Sequence, residues 1–203
     1  RLALAPVASR ASTFWRGGVA PRKESNGTGT VALAWTLEDD TLAGFYRPMS
    51  DHTIKAALDG AGNGGAWQQR IVGQSILAGT PMEKMMVKDG VDGTSVEGAA
   101  DSPYLDAIPA HRVDLHSPTS PVTVLWWRSV GHSHTAFVVE SFIDELAHAA
   151  KQDPLDYRRA LLPKDSRERR ALDLAAEKFG WGKPPPQGHA AGMAVHQSFG
   201  SYV

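Results

Sequence analysis

Polar and apolar residues alternate through residues 51–59, and this pattern predicts a half-buried β-strand. The residues that would share its buried face are His52, Ile54, Ala56 and Leu58. Residues 60–65 are mostly glycine, which favours a turn, and residues 66–72 have the composition of a returning strand. The pattern therefore predicts a β-hairpin.

Four other segments have the pattern of strands. Residues 31–37 and 122–127 are rich in apolar and aromatic side chains, and the second run also contains β-branched residues. Residues 111–116 alternate between polar and apolar positions. Strand character returns in residues 191–203. We expect all four to add to sheets.

The periodicity changes to that of a helix after Gly131. Apolar residues then recur every three or four positions, which predicts one buried helix face. These residues are Phe137, Val138, Val139, Phe142, Ile143, Leu146, Ala147 and Ala150. Ser133 is the predicted N-cap of this helix.

Two shorter helices are predicted next. Asp153 followed by Pro154 has the order of an N-cap and a first helical residue. Asp165 and Glu168 have the spacing of a capping box for the last helix, which Gly180 should end. The residues of that helix predicted to face inward are Leu172, Ala175, Ala176 and Phe179.

The remaining stretches lack the periodicity of a buried element. Residues 1–30 have little to bury and are expected to be irregular, and residues 79–110 are expected to be long surface loops. Strands followed by helices and then by a strand predict an α+β fold, with mixed sheets and the helices after the central strands. The main domain is expected at 31–183, and a linker with the truncated start of the next segment at 184–203.

Composition excludes several classes of function. Lys and Arg number 21 and Asp and Glu 22, so the near-zero net charge offers no electrostatic basis for binding nucleic acid. The sequence has no cysteine, which excludes disulfides, thiol catalysis and protein-held iron–sulfur clusters within it. No run reaches the ~20 apolar residues of a membrane helix, so no membrane span is predicted. Cytoplasmic and periplasmic locations both remain open.

The densest group of reactive side chains lies at residues 126–134, between a predicted strand and a predicted helix. Amides at the start of the helix and the guanidinium of Arg128 could bind phosphate or another anion. A plainer interpretation makes Ser133 a cap and His132 and His134 exposed turn residues. Histidines two positions apart converge only in an extended segment, so no metal site is predicted.

A serine hydrolase is the alternative interpretation of this turn. Gly131-His-Ser133 resembles the start of the Gly-x-Ser-x-Gly elbow of α/β-hydrolases, although Thr135 replaces the second glycine. Ser133 would then be the nucleophile of an esterase-like enzyme. The acids and bases available to it in the required order are Asp144 or Asp165 and His189 or His196.

Three segments occur in an order that is typical of one enzyme family. They read Trp127-Arg-Ser-Val-Gly-His-Ser, Phe137-Val-Val-Glu-Ser-Phe-Ile-Asp-Glu-Leu-Ala and Asp153-Pro-Leu-Asp-Tyr-Arg-Arg-Ala-Leu-Leu. Together they resemble the large, molybdopterin-binding subunit of the xanthine oxidase/aldehyde oxidase family. The isoquinoline 1-oxidoreductase β-subunit branch is the most similar, because it carries Trp-Arg-Ser-Val-Gly at the turn. The resemblance covers residues 31–203.

The resemblance implies a molybdenum hydroxylase. Residues 31–183 would be part of its first molybdopterin-binding domain. Such an enzyme oxidises an N-heteroaromatic or aldehyde substrate with water as the oxygen donor and passes the electrons to an iron–sulfur small subunit. The cofactor of the full-length protein would be molybdopterin, in its cytosine dinucleotide form.

The site residues implied by the resemblance are Arg128, Ser129, Val130 and Gly131, which match the turn that lines the molybdenum site and cofactor. Val130 takes the position of a phenylalanine that stacks on the substrate in xanthine oxidases. The glycine-rich cofactor loop and the Gly-Glu segment with the catalytic base have no counterpart here, so no catalytic residue is assigned. We therefore expect a fragment with part of the site, which neither holds the cofactor tightly nor turns over alone.

Overall fold

The computed structural model describes residues 36–203. Its helices are α1 (Leu37–Ala43), α2 (Glu83–Met86), α3 (His132–Ala149), α4 (Pro154–Leu161) and α5 (Arg167–Phe179). Its strands are β1 (Ser50–Leu58), β2 (Gly64–Gly73), β3 (Val87–Lys88), β4 (Val91–Asp92), β5 (Ala110–His116), β6 (Gln197–Ser198) and β7 (Ser201–Tyr202). This is an arrangement of helices and mixed sheets in which the three long helices follow the central strands.

The central sheet has the order β1-β2-β5, and it confirms the predicted hairpin and the predicted strand at 111–116. Strand β2 pairs antiparallel with β1 and parallel with β5. The turn between β1 and β2 is closed by Asp59, whose carboxylate accepts hydrogen bonds from the amides of Ala61 and Asn63 at 2.9 and 2.8 Å. Half-buried and exposed residues alternate strictly along β1, as its sequence pattern predicts.

The long connection from β2 to β5 is more buried than predicted. Tyr104, Leu105 and Ile108 are part of the hydrophobic core, so residues 79–110 are not simply surface loops. The buried carboxylate of Asp92 accepts hydrogen bonds from Ser75 and Thr94, and so ties the end of β4 to the segment that follows β2. A parallel crossover must pass over one face of the sheet, and this one buries part of its length there.

Helix α3 packs on the sheet through its later turns. Ile143 and Ala147 are fully buried. The ring of Phe142 packs edge to face on Trp67, with 5.0 Å between the ring centroids. The predicted face is wrong at its start, because Phe137 is 73% exposed and Glu140 is buried instead. The first turns of the helix therefore bury mainly polar residues, His132, Thr135 and Glu140, beside the core residue Val139.

Helices α4 and α5 confirm some predicted ends and correct others. Asp153 caps α4 through the amide of Leu155, and Gly180 ends α5 with a left-handed φ of 77°. The N-cap of α5 is Ser166 and not Asp165. Leu172 and Ala176 face inward as predicted, whereas the predicted inward residues Ala175 and Phe179 are exposed.

A buried ion cluster joins α3 to α4. The fully buried guanidinium of Arg158 donates to Glu140 Oε2 at 2.9 Å and to Asp144 Oδ1 at 2.6 Å. Its Nη2 also donates to the Glu140 carbonyl at 3.0 Å. Glu140 Oε2 accepts the amide of Val195 as well, so one carboxylate links both helices to the C-terminal segment.

Two predicted strands are corrected, and a third falls mostly outside the described residues. Residues 122–127 form only an isolated bridge, between Val124 and Tyr46, rather than a full strand. The predicted strand at 31–37 and the irregular segment 1–30 lie outside the described residues, except that Thr36 caps α1 and Leu37 begins it. The strand predicted at 191–203 is the short hairpin β6–β7.

Candidate functional site

The predicted turn at Arg128 to Gly131 has an unusual backbone. Ser129 and Val130 are consecutive non-glycine residues with φ values of 70° and 46°. Such a conformation costs on the order of 1–3 kcal/mol per residue, and it is least favourable for a β-branched side chain such as valine. Strain of this kind persists only where surrounding contacts impose it, and it is concentrated at functional sites.

Arg47 holds the outer side of the turn. Its Nη1 donates to Ser133 Oγ, and its Nη2 donates to the carbonyl oxygen of Arg128 at 3.0 Å. The indole of Trp127 donates to the carbonyl of Phe45 at 2.9 Å, which adds a second link to the same segment. The segment before β1 therefore fixes the turn from outside.

Glu97 holds the inner side. Its Oε1 accepts the Gly131 amide at 2.8 Å, and its carbonyl oxygen accepts the Thr135 hydroxyl at 2.7 Å. Burial raises the pKa of the Glu97 carboxyl, against the lowering effect of the Gly131 and His132 amides and of the His132 charge. A Cβ atom at Gly131 would overlap the carbonyl of Thr94, so glycine is required for this close approach.

These contacts change the expected anion site. The Glu97 carboxylate already takes the Gly131 amide at the start of α3, where the sequence predicts free amides. The side chain of Arg128, by contrast, is exposed, and no residue within 36–203 accepts a hydrogen bond from its guanidinium. An incoming anion would therefore meet the side chain of Arg128 rather than the helix amides.

Ser133 is neither the N-cap of α3 nor placed as the nucleophile of a hydrolase. The N-cap of α3 is Gly131, and no side chain caps the helix. Ser133 Oγ donates to the Val130 carbonyl at 2.6 Å and accepts from Arg47. Within the described residues no histidine is hydrogen-bonded to it, so the nucleophile–base contact of a hydrolase is absent there.

His132 and His134 are not exposed turn residues. His132 is buried, and its Nδ1 lies 2.9 Å from Nε2 of His196. His134 Nδ1 lies 2.9 Å from Nε2 of His52 on β1. Burial, together with the nearby charges of His52, Arg47 and His132, lowers the pKa of His134 to about 4. Across residues 36–203, no group of three or more His, Asp or Glu side chains is placed to hold a metal ion.

A small cavity opens beside the turn. Val130, Gly131, Arg47, His134 and the adjacent tryptophans line it. Its volume of about 20 Å³ is enough for one water-sized group. Two shallow hollows of about 410 and 400 Å³ lie instead on the central sheet. The turn therefore faces a narrow cleft rather than an enclosed pocket.

Three residues around the turn were not predicted as site residues: Arg47, Glu97 and His52. His196 was named only as a possible base for Ser133, and its Nε2 lies beside Nδ1 of His132 instead. Arg47 is 86 positions from Ser133, and His52 is 82 positions from His134. No local pattern marks such pairs. The alternation in β1 does place His52 on the buried face. A histidine on a buried strand face needs a hydrogen-bond partner, and this was the one sequence signal that could have marked His52.

Curated relatives of the chain are oxidoreductases. The chain is 30% identical over 188 residues to a membrane-bound aldehyde dehydrogenase, named with pyrroloquinoline quinone, from Gluconacetobacter polyoxogenes; the match covers 81% of the chain and 24% of the relative. It is 28% identical over 175 residues to the isoquinoline 1-oxidoreductase β subunit of Brevundimonas diminuta, a match that covers 85% of the chain and 22% of that subunit. The chain thus spans about a quarter of the length of these relatives. No protein-family model matches it.

A solved structure shares the fold. Quinoline 2-oxidoreductase from Pseudomonas putida 86 superposes with a TM-score of 0.51 at 17% sequence identity, over 68% of this chain and 19% of that one. At this identity the likeness concerns the fold alone. Within residues 36–203, no helix combines the length and the apolar character needed to cross a membrane.

Proposed function

We propose, from the membership of this chain in the large-subunit family of the molybdenum hydroxylases, that it supplies one wall of a molybdenum-cofactor site. The wall is the turn formed by Arg128, Ser129, Val130 and Gly131. The observation that carries the proposal is the left-handed backbone at Ser129 and Val130, held by Arg47 on one side and Glu97 on the other. A strained turn fixed from both sides is a preorganised binding surface.

The residues present fit the cofactor at one edge only. A dinucleotide form of molybdopterin carries phosphates, and the exposed guanidinium of Arg128 has the geometry to bind them. The adjacent cavity of about 20 Å³ cannot enclose a pterin. The carboxylate of Glu97 also repels an anion from the helix start itself. Arg128 would therefore hold a phosphate while other parts of a longer protein enclose the ring system.

The proposed reaction is oxidation of an N-heteroaromatic or aldehyde substrate, with water as the oxygen donor. The cofactor, when bound, would supply the two-electron redox centre, and a partner iron–sulfur subunit would receive the electrons. This chain contributes positioning: Val130 narrows the cleft, and Arg47 fixes the turn through the Arg128 carbonyl. We propose that the chain is a fragment and does not turn over alone.

Titration of the purified chain with cytidine 5′-diphosphate, followed by NMR, tests the anion contact. We expect weak, saturable shifts confined to the backbone amides of Arg128 to Gly131. Arg128 is the charged side chain of this turn, and the nearby guanidinium of Arg47 is already hydrogen-bonded to Ser133 and to the Arg128 carbonyl. Arg128→Gln should abolish the shifts. Arg170→Gln is the matched control, since Arg170 is also exposed but lies in a different helix, α5, and the variant should leave the shifts unchanged.

Metal analysis tests the second part of the proposal. The chain should carry no stoichiometric molybdenum or phosphorus after purification from a molybdate-supplied host. Stoichiometric cofactor on the chain alone would contradict the fragment assignment. Diphosphate shifts that persist in Arg128→Gln would contradict the assignment of Arg128 as the phosphate contact.

A further inference from the structure

A chain of hydrogen bonds runs from the core to the cavity beside the turn. The indole Nε1 of Trp67 donates to Gln69 Oε1 at 3.3 Å, and Gln69 Nε2 lies 3.1 Å from His52 Nδ1. His52 Nε2 in turn lies 2.9 Å from Nδ1 of His134. Gln69 is fully buried, and His134 lines the cavity.

The sheet geometry explains why these residues meet. Trp67 and Gln69 are two positions apart on β2, so they share one face. His52 pairs with Ile71, one further step along that face, which makes it a diagonal neighbour of Gln69. Helix α3 covers the same face and places His134 above His52.

The direction of every hydrogen bond is fixed by the first one. An indole N–H can only donate, so Gln69 must present its oxygen to Trp67 and its amide nitrogen to His52. His52 Nδ1 must then accept, and its proton is on Nε2. That proton is donated to Nδ1 of His134, which must also be unprotonated. Both imidazoles are therefore neutral, with one tautomer each.

The remaining donor is Nε2–H of His134. No residue within 36–203 is hydrogen-bonded to this atom, and it is not among the fully buried polar atoms that lack a partner. It is therefore reachable by a small group. Arg47 and Val130 line the same cavity, which connects this donor to the proposed site.

We propose that Trp67, Gln69 and His52 lock His134 as a neutral hydrogen-bond donor that selects an acceptor atom of the ligand. The acceptor is a carbonyl oxygen or an aromatic ring nitrogen, because the His134 donor is neutral and the guanidinium of Arg47 is already bonded to Ser133 and to the Arg128 carbonyl. The cavity admits one such atom while the rest of the ligand lies over its opening. His134 is thus a specificity-determining residue. The identity of the ligand class rests on the proposed function, whereas the tautomer lock does not.

The tautomers can be read directly from long-range ¹H–¹⁵N correlation spectra of the imidazoles at pH 7. In the wild-type chain we expect both His52 and His134 to be unprotonated at Nδ1 and protonated at Nε2. Gln69→Glu keeps the shape but presents a second acceptor to His52, so His52 should become protonated at Nδ1. Gln68→Glu, on the exposed face of the same strand, should change neither ring.

A second titration tests the acceptor class, with 2-pyridone as the probe. The His134 Nε2–H resonance should shift saturably in the wild-type chain. His134→Gln should still bind 2-pyridone, as followed by the Val130 amide shift, because glutamine offers an N–H at the same reach. His134→Leu should lose the binding.

Three results would overturn the inference. The first is a proton on Nδ1 of wild-type His134. The second is an unchanged His52 tautomer in Gln69→Glu. The third is a His134 with the expected tautomer whose Nε2–H resonance does not shift with 2-pyridone. The cytidine diphosphate titration reports on Arg128 instead, so failure of the proposed function and failure of this inference are separate outcomes.

Discussion

Replacement of Arg158 by methionine is expected to destabilise the fold strongly. The guanidinium of Arg158 is fully buried and makes its hydrogen bonds to Glu140, Asp144 and the backbone within α3 and α4. Methionine fills a similar volume but offers no donor. Glu140, which is 6% exposed, would then remain buried without its cation.

The size of the stability loss is set by Glu140, the charged partner that remains buried. Removal of one member of a buried ion pair costs about 3–5 kcal/mol, because the other charge stays desolvated. Burial already raises the pKa of Glu140 while Arg158 lowers it, and Glu140 Oε1 lacks a partner within the described residues. In the variant, the Glu140 carboxylate stays desolvated without its cation and keeps the hydrogen bond from the Val195 amide. This loss is a large part of the ~5–15 kcal/mol that stabilises a typical domain.

Urea unfolding followed by circular dichroism measures the effect. Arg159→Met is the matched control, because Arg159 is the adjacent arginine but is 35% exposed in its pairs with Asp156 and Asp173. The free energy of unfolding of Arg159→Met should fall by less than about 1 kcal/mol. Adding Glu140→Gln to Arg158→Met should recover part of the loss. Equal losses in the two single arginine variants would refute the reasoning.

Three further outcomes are expected. Gly131→Ala should cost about 1–3 kcal/mol in urea unfolding, because its Cβ would overlap the Thr94 carbonyl, whereas Gly192→Ala, with open space around it, should be neutral. Asp92→Ala should cost more than about 2 kcal/mol, since it removes the acceptor of several buried donors; an unchanged urea midpoint would contradict this. The folded pKa of His134 is about 4 against 6.5 unfolded, so its contribution to stability is present above pH 6.5 and is lost as the pH falls towards 4. His134→Gln should flatten the pH dependence of the free energy of unfolding. Identical wild-type and variant profiles between pH 4 and 7 would exclude a contribution from His134.

The segments that carry the family resemblance have two different roles. Glu140 and Asp144 lie in the stretch 137–147, and Arg158 lies in the stretch 153–162; together they form the buried cluster that joins α3, α4 and the C-terminal segment. Their role is to hold the fold. The first segment, with the turn at Arg128, lines the cleft of the candidate site. The resemblance is thus carried largely by structural residues, and the candidate site is a small part of it.

Several local elements of this protein were predictable from its sequence. The β1–β2 hairpin, the three long helices, the cap at Asp153 and the left-handed Gly180 all depend on residues within a few positions of each other. Periodicity and capping act over such distances, so a single sequence contains them. The same reasoning failed for residues 122–127, because strand composition cannot show whether a neighbouring strand is present.

The arrangement of the candidate site was decided by tertiary structure alone. The sequence predicted the turn at Arg128 to Gly131, but not that Glu97 would occupy the helix start or that Arg47 would hold the turn from outside. It also could not pair His52 with His134, which are 82 positions apart. Hydrogen-bond partners of this kind are fixed by how the sheet, the crossover and α3 pack. The donors and acceptors are therefore visible in the sequence, whereas their partners exist only in the folded chain.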